Sequence, residues 1–572
     1  MKHNKRFDIA CEGAQKQGQD LLIFSPKGIN KEISENFDSI FQLEITFTPR
    51  IDLLKELKNA LANRNNIDTW DEISSILPKL HFIYGPPGTG KTTTLCCKIL
   101  DEVAQNPNAK YLFLTPTNKA ADVLCKKLLI QSNSANDIIA SKIDKLKKDN
   151  NYLAVYRIGK PTDPEIESLE LDIYQDSVNE DLLNAANLIA MTIHRIPYTK
   201  AFDTNDDTEI KLFKLENHWD YVIFDEASMI NLPYIVFSIL SISKFSPNVK
   251  FIVAGDPKQI PPVVDVNDKE LEELDIQDEN IYSMMNIKSF NEKEQLLRDN
   301  DTIENLKVQY RSIKKIGQLF SELSYGKLLE HHRDITKSNP KPLPVAFQKL
   351  LSSNVMFIDI PLNNEDSIYK IRQLFYSSYH IYSAILVSEI IKYFDSSLTE
   401  GDNWSIGLIA PYKAQAVMMN KLIASFGISD KLKIYADTVH GFQGDECDIV
   451  FFISNPNNYR YTGHSKCLLS KEYIYNVAIS RAKDYLIILH PFFEIQDNPF
   501  INKIKSTYHS NFGNPFINKA SDFEKILFDS NTFIYDNSYI TGHDTVNVFG
   551  QLEKKYFIKA NSNAIDIQLR KL

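Results

Sequence analysis

Glycine is scarce in this sequence, and long hydrophobic runs are absent from it. Only 19 of the 572 residues are glycine, about 3% against the roughly 7% of average proteins. No stretch reaches about 18 consecutive apolar residues, the length that a membrane-spanning helix needs. The cationic residues at the start of the chain are not followed by an apolar run. We therefore expect a protein that is neither exported nor embedded in a membrane.

Cysteine and an excess of positive charge are also missing. The six cysteines are scattered, and no Cys or Cys/His pair has the spacing of a zinc site. This pattern predicts reduced thiols in a cytoplasmic protein rather than a disulfide scaffold. With 74 acidic and 64 basic residues, the net charge of −10 argues against a basic coat protein for nucleic acid. A local basic groove is still allowed, because binding depends on where the charge lies.

What the sequence does contain is typical of a soluble α/β protein. Hydrophobic residues make up 43% of the chain, and its length predicts three or four compact units. Short apolar runs recur, each followed by turn residues and a helical pattern, as in parallel α/β folds. They are HFIY (81–84), YLFLT (111–115), NLIAMT (187–192), YVIFDE (221–226), KFIVAGD (250–256), SIGLIAP (405–411), DIVFFIS (448–454) and YLIILH (485–490). Their two groups predict two doubly wound domains.

We expect the chain to divide into four parts. They are an N-terminal segment (1–50), a first domain (51–297), a second domain (298–492) and a small β-rich C-terminal appendage (493–572). Within the first domain, the polar residues at about 126–187 predict an insertion, which we interpret as a small helical subdomain. The appendage is predicted from alternating, aromatic-rich sequence. It contains NPFINK twice, at 498–503 and 514–519, which we interpret as a pair of structural turns.

The strongest motif is GPPGTGKT at residues 85–92, which fits G-x-x-x-x-G-K-[ST] between a predicted strand and a predicted helix. Its glycines let backbone N–H groups face a phosphate chain, and the helix N-terminus adds the positive end of its dipole. Lys91 would reach the β- and γ-phosphates, and Thr92 would bind Mg²⁺. The alternative is an ordinary Gly-Pro turn, but three glycines in six positions are unusual in a chain so poor in glycine. The motif therefore predicts a nucleotide site.

A carboxylate pair ends the apolar run at residues 221–226. Asp225 would hold Mg²⁺ through water, and Glu226 would polarise the attacking water. Such a pair can instead cap a strand end in solvent, but the apolar run favours a buried strand that ends in the active cleft.

The segment GDPKQIPP (255–262) also follows a strand, and there Gln259 would sense the γ-phosphate. By itself that segment predicts only a Pro-rich turn.

In their order along the chain, these segments resemble the motif set of superfamily 1 helicases. They are followed by VQYRS (308–312), TVHGFQGDECDIV (438–450) and NVAISRAK (476–483). The sequences are closest to the 1B branch, which includes the senataxin-like and nonsense-mediated-decay helicases. Further segments that resemble its motifs are LTPTNKAADVL (114–124), YRIG (156–159), AMTIHR (190–195) and IGLIAPYKAQ (406–415). The match covers about residues 80–490 and implies two tandem RecA-like P-loop domains with parallel sheets.

The resemblance implies roles for single residues. Arg311 and Arg481 would be arginine fingers that complete a catalytic set with Glu226 and Gln259. Tyr310 would stack on adenine, and Glu446 would contact the ribose or the phosphates. The residues assigned to ATP binding are Gly85, Pro86, Pro87, Gly88, Thr89, Gly90, Lys91, Thr92, Thr93, Tyr310 and Glu446. Thr92 and Asp225 would bind Mg²⁺. Taken singly these are ordinary surface or core-edge residues, and only the joint pattern carries the assignment.

A path for single-stranded nucleic acid across both domains is also implied. Its residues are Thr115, Pro116, Thr117, Thr192 and His194 in the first domain and Thr438 and His440 in the second. Hydroxyls and backbone N–H groups bind phosphates without reading bases, as a translocating motor requires. The alternative makes these residues helix N-caps, Thr117 in particular, and the two roles are compatible.

The sequence departs from the branch upstream of the phosphate loop. A glutamine that reads adenine is usual there, but residues 46–61 contain none, so strict ATP selectivity is not implied. The roughly 50 residues before that stretch are too few for the β-barrel insertion and long stalk of some relatives. Duplex separation would then rely on another wedge, either residues 131–186 or the C-terminal appendage.

Together these observations predict an ATP-dependent superfamily 1B helicase or translocase that uses Mg²⁺ and acts on single-stranded DNA or RNA. The 5′ to 3′ direction is implied by the resemblance alone, and the choice between DNA and RNA stays open. One alternative is a nucleotide-switched clamp that remodels nucleic-acid complexes without unwinding. Another is the motor subunit of a nuclease or defence complex, with a protein partner bound through the C-terminal domain.

Overall fold

The computed structural model describes most of the chain between residues 80 and 527. The ranges are 80–129, 138–168, 186–198, 219–262, 280–285, 303–362, 368–374, 377–424, 427–442, 444–455 and 467–527, with residues 287 and 290 and the strands Gly13–Gln17, Asp20–Phe24 and Tyr174–Gln175. None of the helices in these ranges is long and apolar enough to span a bilayer.

Among the residues that the structure describes, ten strands lie in the first part of the chain. They are β1 (Gly13–Gln17), β2 (Asp20–Phe24), β3 (Leu80–Tyr84), β4 (Tyr111–Thr115), β5 (Val155–Ile158), β6 (Tyr174–Gln175), β7 (Leu188–Thr192), β8 (Tyr221–Phe224), β9 (Lys250–Gly255) and β10 (Ile303–Asn305). Strands β1 and β2 form an antiparallel hairpin. The others form one sheet in the order β10-β3-β9-β8-β4-β7-β5-β6, and every neighbouring pair is parallel.

Ten more strands follow. They are β11 (Val308–Gln309), β12 (Glu330–His331), β13 (Val355–Asp359), β14 (Ile371–Gln373), β15 (Ser378–His380), β16 (Trp404–Ala410), β17 (Leu432–Thr438), β18 (Cys447–Ile453), β19 (Ala482–His490) and β20 (Ile517–Lys519). Six of them form a second parallel sheet in the order β17-β16-β18-β19-β13-β20. Strand β11 pairs with β12 and β14 pairs with β15 outside this sheet.

The helices connect these strands. They are α1 (Lys91–Gln105), α2 (Asn118–Leu129), α3 (Ile138–Lys148), α4 (Pro164–Ser168), α5 (Leu232–Phe245), α6 (Ile281–Met284), α7 (Lys314–Ser324), α8 (His332–Ile335), α9 (Ile381–Ser396), α10 (Lys413–Ala424), α11 (Glu472–Ser480), α12 (Pro499–Phe512) and α13 (Ala520–Leu527). In α1 the buried residues Leu95, Ile99 and Val103 recur every fourth position, so one stripe of the helix faces the sheet.

Three apolar clusters cover the two sheets. One packs a face of the first sheet on α1 and α2 through residues such as Phe113. Another packs a face of the second sheet on α9 and α10. The third joins the opposite faces of both sheets through α7 and α11, and it runs from Phe82 to Phe452. Sheets covered on both faces are typical of doubly wound folds, so the predicted pair of RecA-like domains is confirmed.

The eight predicted apolar strands are all present, but the stretch at 126–187 differs from its interpretation. It contains helix α3, and it also contributes β5, which pairs with β7 in the main sheet. The charge of Arg157 interrupts the apolar pattern of β5, although that side chain is buried and paired with Asp122 at 2.9 Å. The helical interpretation therefore missed a strand.

The β-rich prediction is wrong for residues 493–527, which form α12, β20 and α13. The first NPFINK begins α12, because the Asn498 side chain accepts hydrogen bonds from the first turn and Pro499 takes the first helical position. The second copy runs into β20, which pairs with β13. Neither copy is a structural turn. The strands predicted beyond residue 527 lie outside the described residues.

Candidate active site

The segment 85–92 forms the turn between β3 and α1, as predicted. Gly88 and Gly90 have φ angles of 73° and 82°, in the left-handed region that favours glycine. Helix α1 carries no acidic residue in its first turn, and no side chain caps it. Its first N–H groups are therefore free of side-chain acceptors and suit an anion.

Lys91 folds back over this turn. Its Nζ donates to the carbonyl oxygen of Gly85 at 2.7 Å, and the side chain is buried. The Thr89 hydroxyl donates to the carbonyl oxygen of Pro86 at 2.7 Å, which closes the turn. Thr93, predicted to bind ATP, accepts a hydrogen bond from Lys127 on α2 at 2.8 Å. The loop therefore holds its cation in place over the phosphate site.

Asp225 and Glu226 follow β8. Burial, and after it the neighbouring Glu226, raise the pKa of Asp225 to about 7, while Lys91 opposes the shift. Glu226 has a φ of 50°, which is uncommon for a non-glycine residue, and its N–H donates to Asp225 Oδ1 at 2.9 Å. The buried Asp225 carboxyl and the Thr92 hydroxyl, in the first turn of α1, are oxygen ligands of the kind that Mg²⁺ binds. Asp225 is buried whereas Glu226 is half-buried, so Asp225 suits the metal and Glu226 suits a water molecule.

The turn at residues 256–259 connects the first domain to the second. Asp256 is fully buried, and burial raises its pKa. Its Oδ1 accepts from the Lys258 N–H at 3.0 Å, and its Oδ2 accepts from Gln259 Nε2 at 3.1 Å. Gln259 Oε1 accepts from Arg481 Nη2 at 3.2 Å. The predicted γ-phosphate sensor therefore already contacts a predicted arginine finger.

Both predicted fingers reach this region. Arg481 is buried, and its Nε has no hydrogen-bond partner among the described residues. Burial, and after it the charge of Arg311, lower the pKa of its guanidinium to about 10. A Cβ added to Gly88 would lie 2.8 Å from the Cβ of Arg311. Arg311 therefore lies next to the phosphate loop, while the buried Arg481 keeps one unused donor, and both cations suit a polyanionic ligand.

Glu446 has a contact that the sequence did not predict. Its carboxylate accepts from Arg311 Nε at 2.6 Å and forms an ion pair with Lys483 at 3.0 Å. Burial opposes its ionisation, but Arg311 and Lys483 outweigh burial and lower the pKa of Glu446 to about 2. In this arrangement Glu446 orients the finger Arg311.

Tyr310 lies beside the phosphate loop, where its N–H donates to the carbonyl oxygen of Gly88 at 2.8 Å. Its side chain is 52% exposed, and its ring lies 4.7 Å from the ring of His332. An exposed ring held next to the nucleotide site suits stacking on a base, as predicted for Tyr310.

Two family models match the chain, and both are described as AAA domains. They cover residues 72–265 and 287–490. "DNA polymerase alpha-associated DNA helicase A" of Saccharomyces cerevisiae is 26% identical over 516 residues, 81% of this chain and 70% of that protein. "Putative helicase mov-10-B.2" of Danio rerio is 26% identical over 433 residues, 72% of this chain and 39% of that protein. The chain belongs to the superfamily 1 helicases.

Other similarities of this helicase are more partial. "DNA-binding protein SMUBP-2" of Mesocricetus auratus is 25% identical over 463 residues, 74% of this chain and 42% of that protein. The helicase thus spans less than half the length of two of these three relatives. Among solved structures it is similar to "Complex structure of Arterivirus nonstructural protein 10 (helicase) with DNA", with a TM-score of 0.31, 13% identity and coverage of 75% of this chain and 63% of that chain.

The predicted nucleic-acid residues of the helicase lie at the carboxyl ends of its strands. Thr115 ends β4 and Thr192 ends β7, and the two are direct neighbours in the sheet. Thr438 ends β17 in the second sheet. In open parallel sheets ligands bind outside this edge, so the placement agrees with the predicted path.

The contacts of these residues support both of the roles considered for them. The buried Thr115 hydroxyl donates to the carbonyl oxygen of Thr117 at 2.8 Å, while Thr117 Oγ1 accepts from the Ala120 N–H at 3.2 Å and caps α2. Pro116, between them, is half-buried. Thr438 Oγ1 accepts from the Gly441 N–H at 3.1 Å in the same way. These hydrogen bonds fix the shape of the loops that follow β4 and β17.

The two predicted histidines of the path are held by aromatic rings. His194 is exposed and packs edge-on against Tyr234, with ring centroids 4.6 Å apart. His440 packs edge-on against Tyr473 at 6.3 Å. Each histidine lies two residues beyond the end of a strand, His194 after β7 and His440 after β17.

Sequence reasoning missed several residues that support the site. Asn476 and Asp256 lie inside recognised motifs, so their place in those motifs was a usable signal. Tyr325 and Arg333 lie in no motif, yet Tyr325 contacts Asp256 at 2.6 Å and Arg333 contacts the backbone of Arg311 at 3.2 Å. Only the fold brings these residues to the helicase site.

Proposed function

We propose that this chain is an ATP-dependent helicase that moves 5′ to 3′ along single-stranded DNA or RNA and separates duplexes. The contact between Arg481 and Gln259, at 3.2 Å, carries the proposal. It joins a cation of the second domain to the γ-phosphate sensor of the first, so nucleotide state and domain contact depend on each other. Two of the relatives are named helicases and a third is named a DNA-binding protein, which supports the same class.

The residues of the site divide the work of hydrolysis. Lys91 and the loop amides bind the phosphates. Thr92 and Asp225 would hold Mg²⁺, which would supply positive charge against the phosphates. Glu226 accepts a proton from the attacking water. Arg311 and Arg481 stabilise the negative charge that develops on the transferred group.

Nucleic-acid movement follows from the placement of the predicted path. Thr115 and Thr192 end neighbouring strands of the first sheet, whereas Thr438 ends a strand of the second. When ATP draws the fingers onto its γ-phosphate, the phosphate contacts of the two sheets approach each other. Hydrolysis releases the fingers, and the strand has then advanced relative to one domain.

Steady-state ATP hydrolysis tests the motor. We expect single-stranded DNA or RNA of equal length to raise the turnover at a stated low salt concentration. Duplexes with a 5′ tail should be separated and those with a 3′ tail should not. Absence of stimulation by either nucleic acid contradicts the motor. Stimulation without strand displacement would instead identify a nucleotide-switched clamp.

Two variants and a matched control locate the hydrolysis in the described site. Lys91→Ala and Glu226→Gln should each abolish turnover, because one removes the phosphate cation and the other removes the base. Lys98→Ala changes a lysine of the same helix that pairs with Glu304 at 2.9 Å and should leave turnover unchanged. Wild-type turnover in Lys91→Ala would place the reaction elsewhere in the chain.

A further inference from the structure

A closed ring of buried hydrogen bonds lies behind Gln259. The Tyr325 hydroxyl donates to Asp256 Oδ2 at 2.6 Å and accepts from Asn476 Nδ2 at 2.7 Å. Asn476 Nδ2 also donates to the carbonyl oxygen of Lys258 at 2.9 Å. The Lys258 N–H donates to Asp256 Oδ1 at 3.0 Å, which closes the ring. The side chains of Asp256, Tyr325 and Asn476 are all buried.

The ring links the 256–259 turn to two helices of the second domain. Tyr325 follows α7, and Asn476 lies in α11. Arg481 follows the end of α11, so this helix brings both the Asn476 amide and the Arg481 guanidinium to the same turn. The 256–259 turn is therefore connected to α11 at two points. One of them is the finger, and the other is the ring through Tyr325.

The direction of each hydrogen bond in the ring is fixed by chemistry. The Asn476 NH₂ group can only donate, so the Tyr325 oxygen accepts and its proton points to Asp256. Asp256 then accepts from Gln259 as well, which requires the Gln259 amide to turn its Nε2 toward Asp256. Gln259 Oε1 is consequently presented to Arg481, at 3.2 Å. The orientation of the sensor amide thus follows from the Asp256 carboxylate, and the Tyr325 hydroxyl donates to the same Oδ2 atom and holds it in place.

The ring of Tyr325 is fixed by its aromatic neighbours. It packs edge-on against Phe290 at 6.0 Å and against Phe320 at 6.5 Å between ring centroids. These contacts remain when the hydroxyl alone is removed. The contribution of the hydroxyl is therefore separable from that of packing.

We propose that Tyr325 is a positioning residue for ATP hydrolysis, fixing the amide of Gln259 through Asp256 and relaying the position of α11 to the phosphate site. This inference rests on the proposed function, because it concerns the turnover of the same site. Tyr325 itself does not contact Gln259. Its effect on the sensor passes through the Asp256 carboxylate and through the Lys258 backbone.

The variant Tyr325→Phe tests the proposal in the full chain. Turnover stimulated by single-stranded nucleic acid should fall about 10-fold, because the carboxylate loses a charge-assisted hydrogen bond. The KM for ATP should change less than about 2-fold, since the phosphate loop is untouched. Tyr282→Phe is the matched control, because among the described residues its buried hydroxyl donates to the Val253 carbonyl oxygen alone, at 3.4 Å. It should keep wild-type turnover.

A double variant separates positioning from general damage. If Tyr325 acts through Gln259, then adding Tyr325→Phe to Gln259→Ala should cost less than about 2-fold in further turnover. A full additional 10-fold loss would show a merely structural effect and overturn the proposal. Wild-type kcat in Tyr325→Phe would overturn it as well.

Asn476→Leu is a second variant for the case in which Tyr325→Phe unfolds. It keeps a side chain of similar size and removes the donor that sets the direction of the Tyr325 proton, so the same loss of kcat at unchanged KM is expected. Unchanged kcat in a folded Asn476→Leu chain contradicts the proposal. If the wild-type chain hydrolyses no ATP, the proposed function fails instead, and the two failures are distinguishable.

Discussion

At the scale of single residues, Arg333 ties the two arginine fingers together. Its Nη1 donates to the carbonyl oxygens of Arg311 and Lys483 at 3.2 and 3.3 Å. Its Nη2 donates to Asp484 Oδ1 at 2.7 Å. One guanidinium thus reaches the backbone at the first finger and two residues at the start of β19, the strand that follows the second finger. The fork of donors on arginine makes this bridge, which the single ammonium of lysine cannot reproduce.

We expect Arg333→Gln to lower both stability and turnover. The Asp484 carboxylate is only 7% exposed, so the loss of Arg333 leaves a buried carboxylate without this ion pair. The free energy of unfolding should fall by about 2–4 kcal/mol. Turnover should fall as well, because the turns that carry both fingers lose their shared contact. Urea unfolding and steady-state ATP hydrolysis measure the two effects.

The control is an exposed ion pair close by in the sequence. Lys314→Gln removes the ion pair with Asp334, in which the two side chains are 51% and 49% exposed. The free energy of unfolding should fall by under about 0.5 kcal/mol. Adding Asp484→Asn to Arg333→Gln should recover part of the lost stability, because the buried charge is then gone. Equal losses in Arg333→Gln and Lys314→Gln would argue against the bridge.

Single residues differ in how far the sequence could predict them. Lys91, Asp225 and Arg481 belong to short motifs in which the chemistry demands one residue type at one spacing. Tyr325 acts on Asp256, which lies 69 positions earlier in the chain. A contact of that kind leaves no periodic or local signal, so it appears only when the fold brings the two residues together.

At the scale of elements, two histidines are buried where strands of the second domain end. His380 ends β15 and His490 ends β19, and both are fully buried. Burial lowers the pKa of each to about 4, from an ordinary value of about 6.5. The folded chain therefore holds both imidazoles neutral at a pH where the unfolded chain protonates them.

This difference predicts acid sensitivity of the second domain. The stabilising effect is complete above about pH 6.5 and is lost as the pH falls toward 4, because only the unfolded state then takes up these protons. Each histidine contributes at most about 1.4 kcal/mol per pH unit in that window. Urea unfolding at several pH values measures the slope. His380→Gln should flatten it, whereas His509→Gln, at an exposed position, should not.

Strands were more predictable than the elements near the C-terminus. Strand β4 is buried at all five positions, so it reads as one apolar run. The hexapeptide NPFINK shows the limit of such patterns, because one copy begins a helix and the other enters a strand. Asn498 in the first copy donates to the Tyr475 hydroxyl at 2.5 Å, whereas Ile517 in the second pairs with Phe357. Tertiary partners decide between two structures for one local sequence.

At the scale of the whole molecule, the nucleotide site belongs to both domains. Contacts that cross between them within the described residues include the ion pair of Lys119 with Asp445, the bond of Asn476 to Lys258, and the bond of Arg481 to Gln259. The γ-phosphate would add contacts to the fingers that a diphosphate lacks. Nucleotides with and without that group should therefore stabilise the closed molecule to different extents.

We expect a non-hydrolysable ATP analogue with Mg²⁺ to raise the unfolding temperature more than ADP does at saturation. In Arg481→Ala the advantage of the analogue over ADP should shrink or vanish, while the shift caused by ADP remains. Lys433→Ala, which removes an exposed cation of β17, should keep the wild-type difference. Thermal denaturation monitored by circular dichroism provides the measurement. An undiminished advantage in Arg481→Ala would mean that this finger does not sense the γ-phosphate.

The order of strands in the second sheet bears on how the chain is made. Strand β13 lies between β19 and β20, and both neighbours come much later in the sequence. While the ribosome synthesises the intervening residues, the apolar VMFID segment of β13 has neither of its pairing partners. Such a segment is an aggregation hazard in a nascent chain. Productive folding of this protein therefore depends on shielding β13, by a chaperone or by early packing on α9, until the last strands emerge.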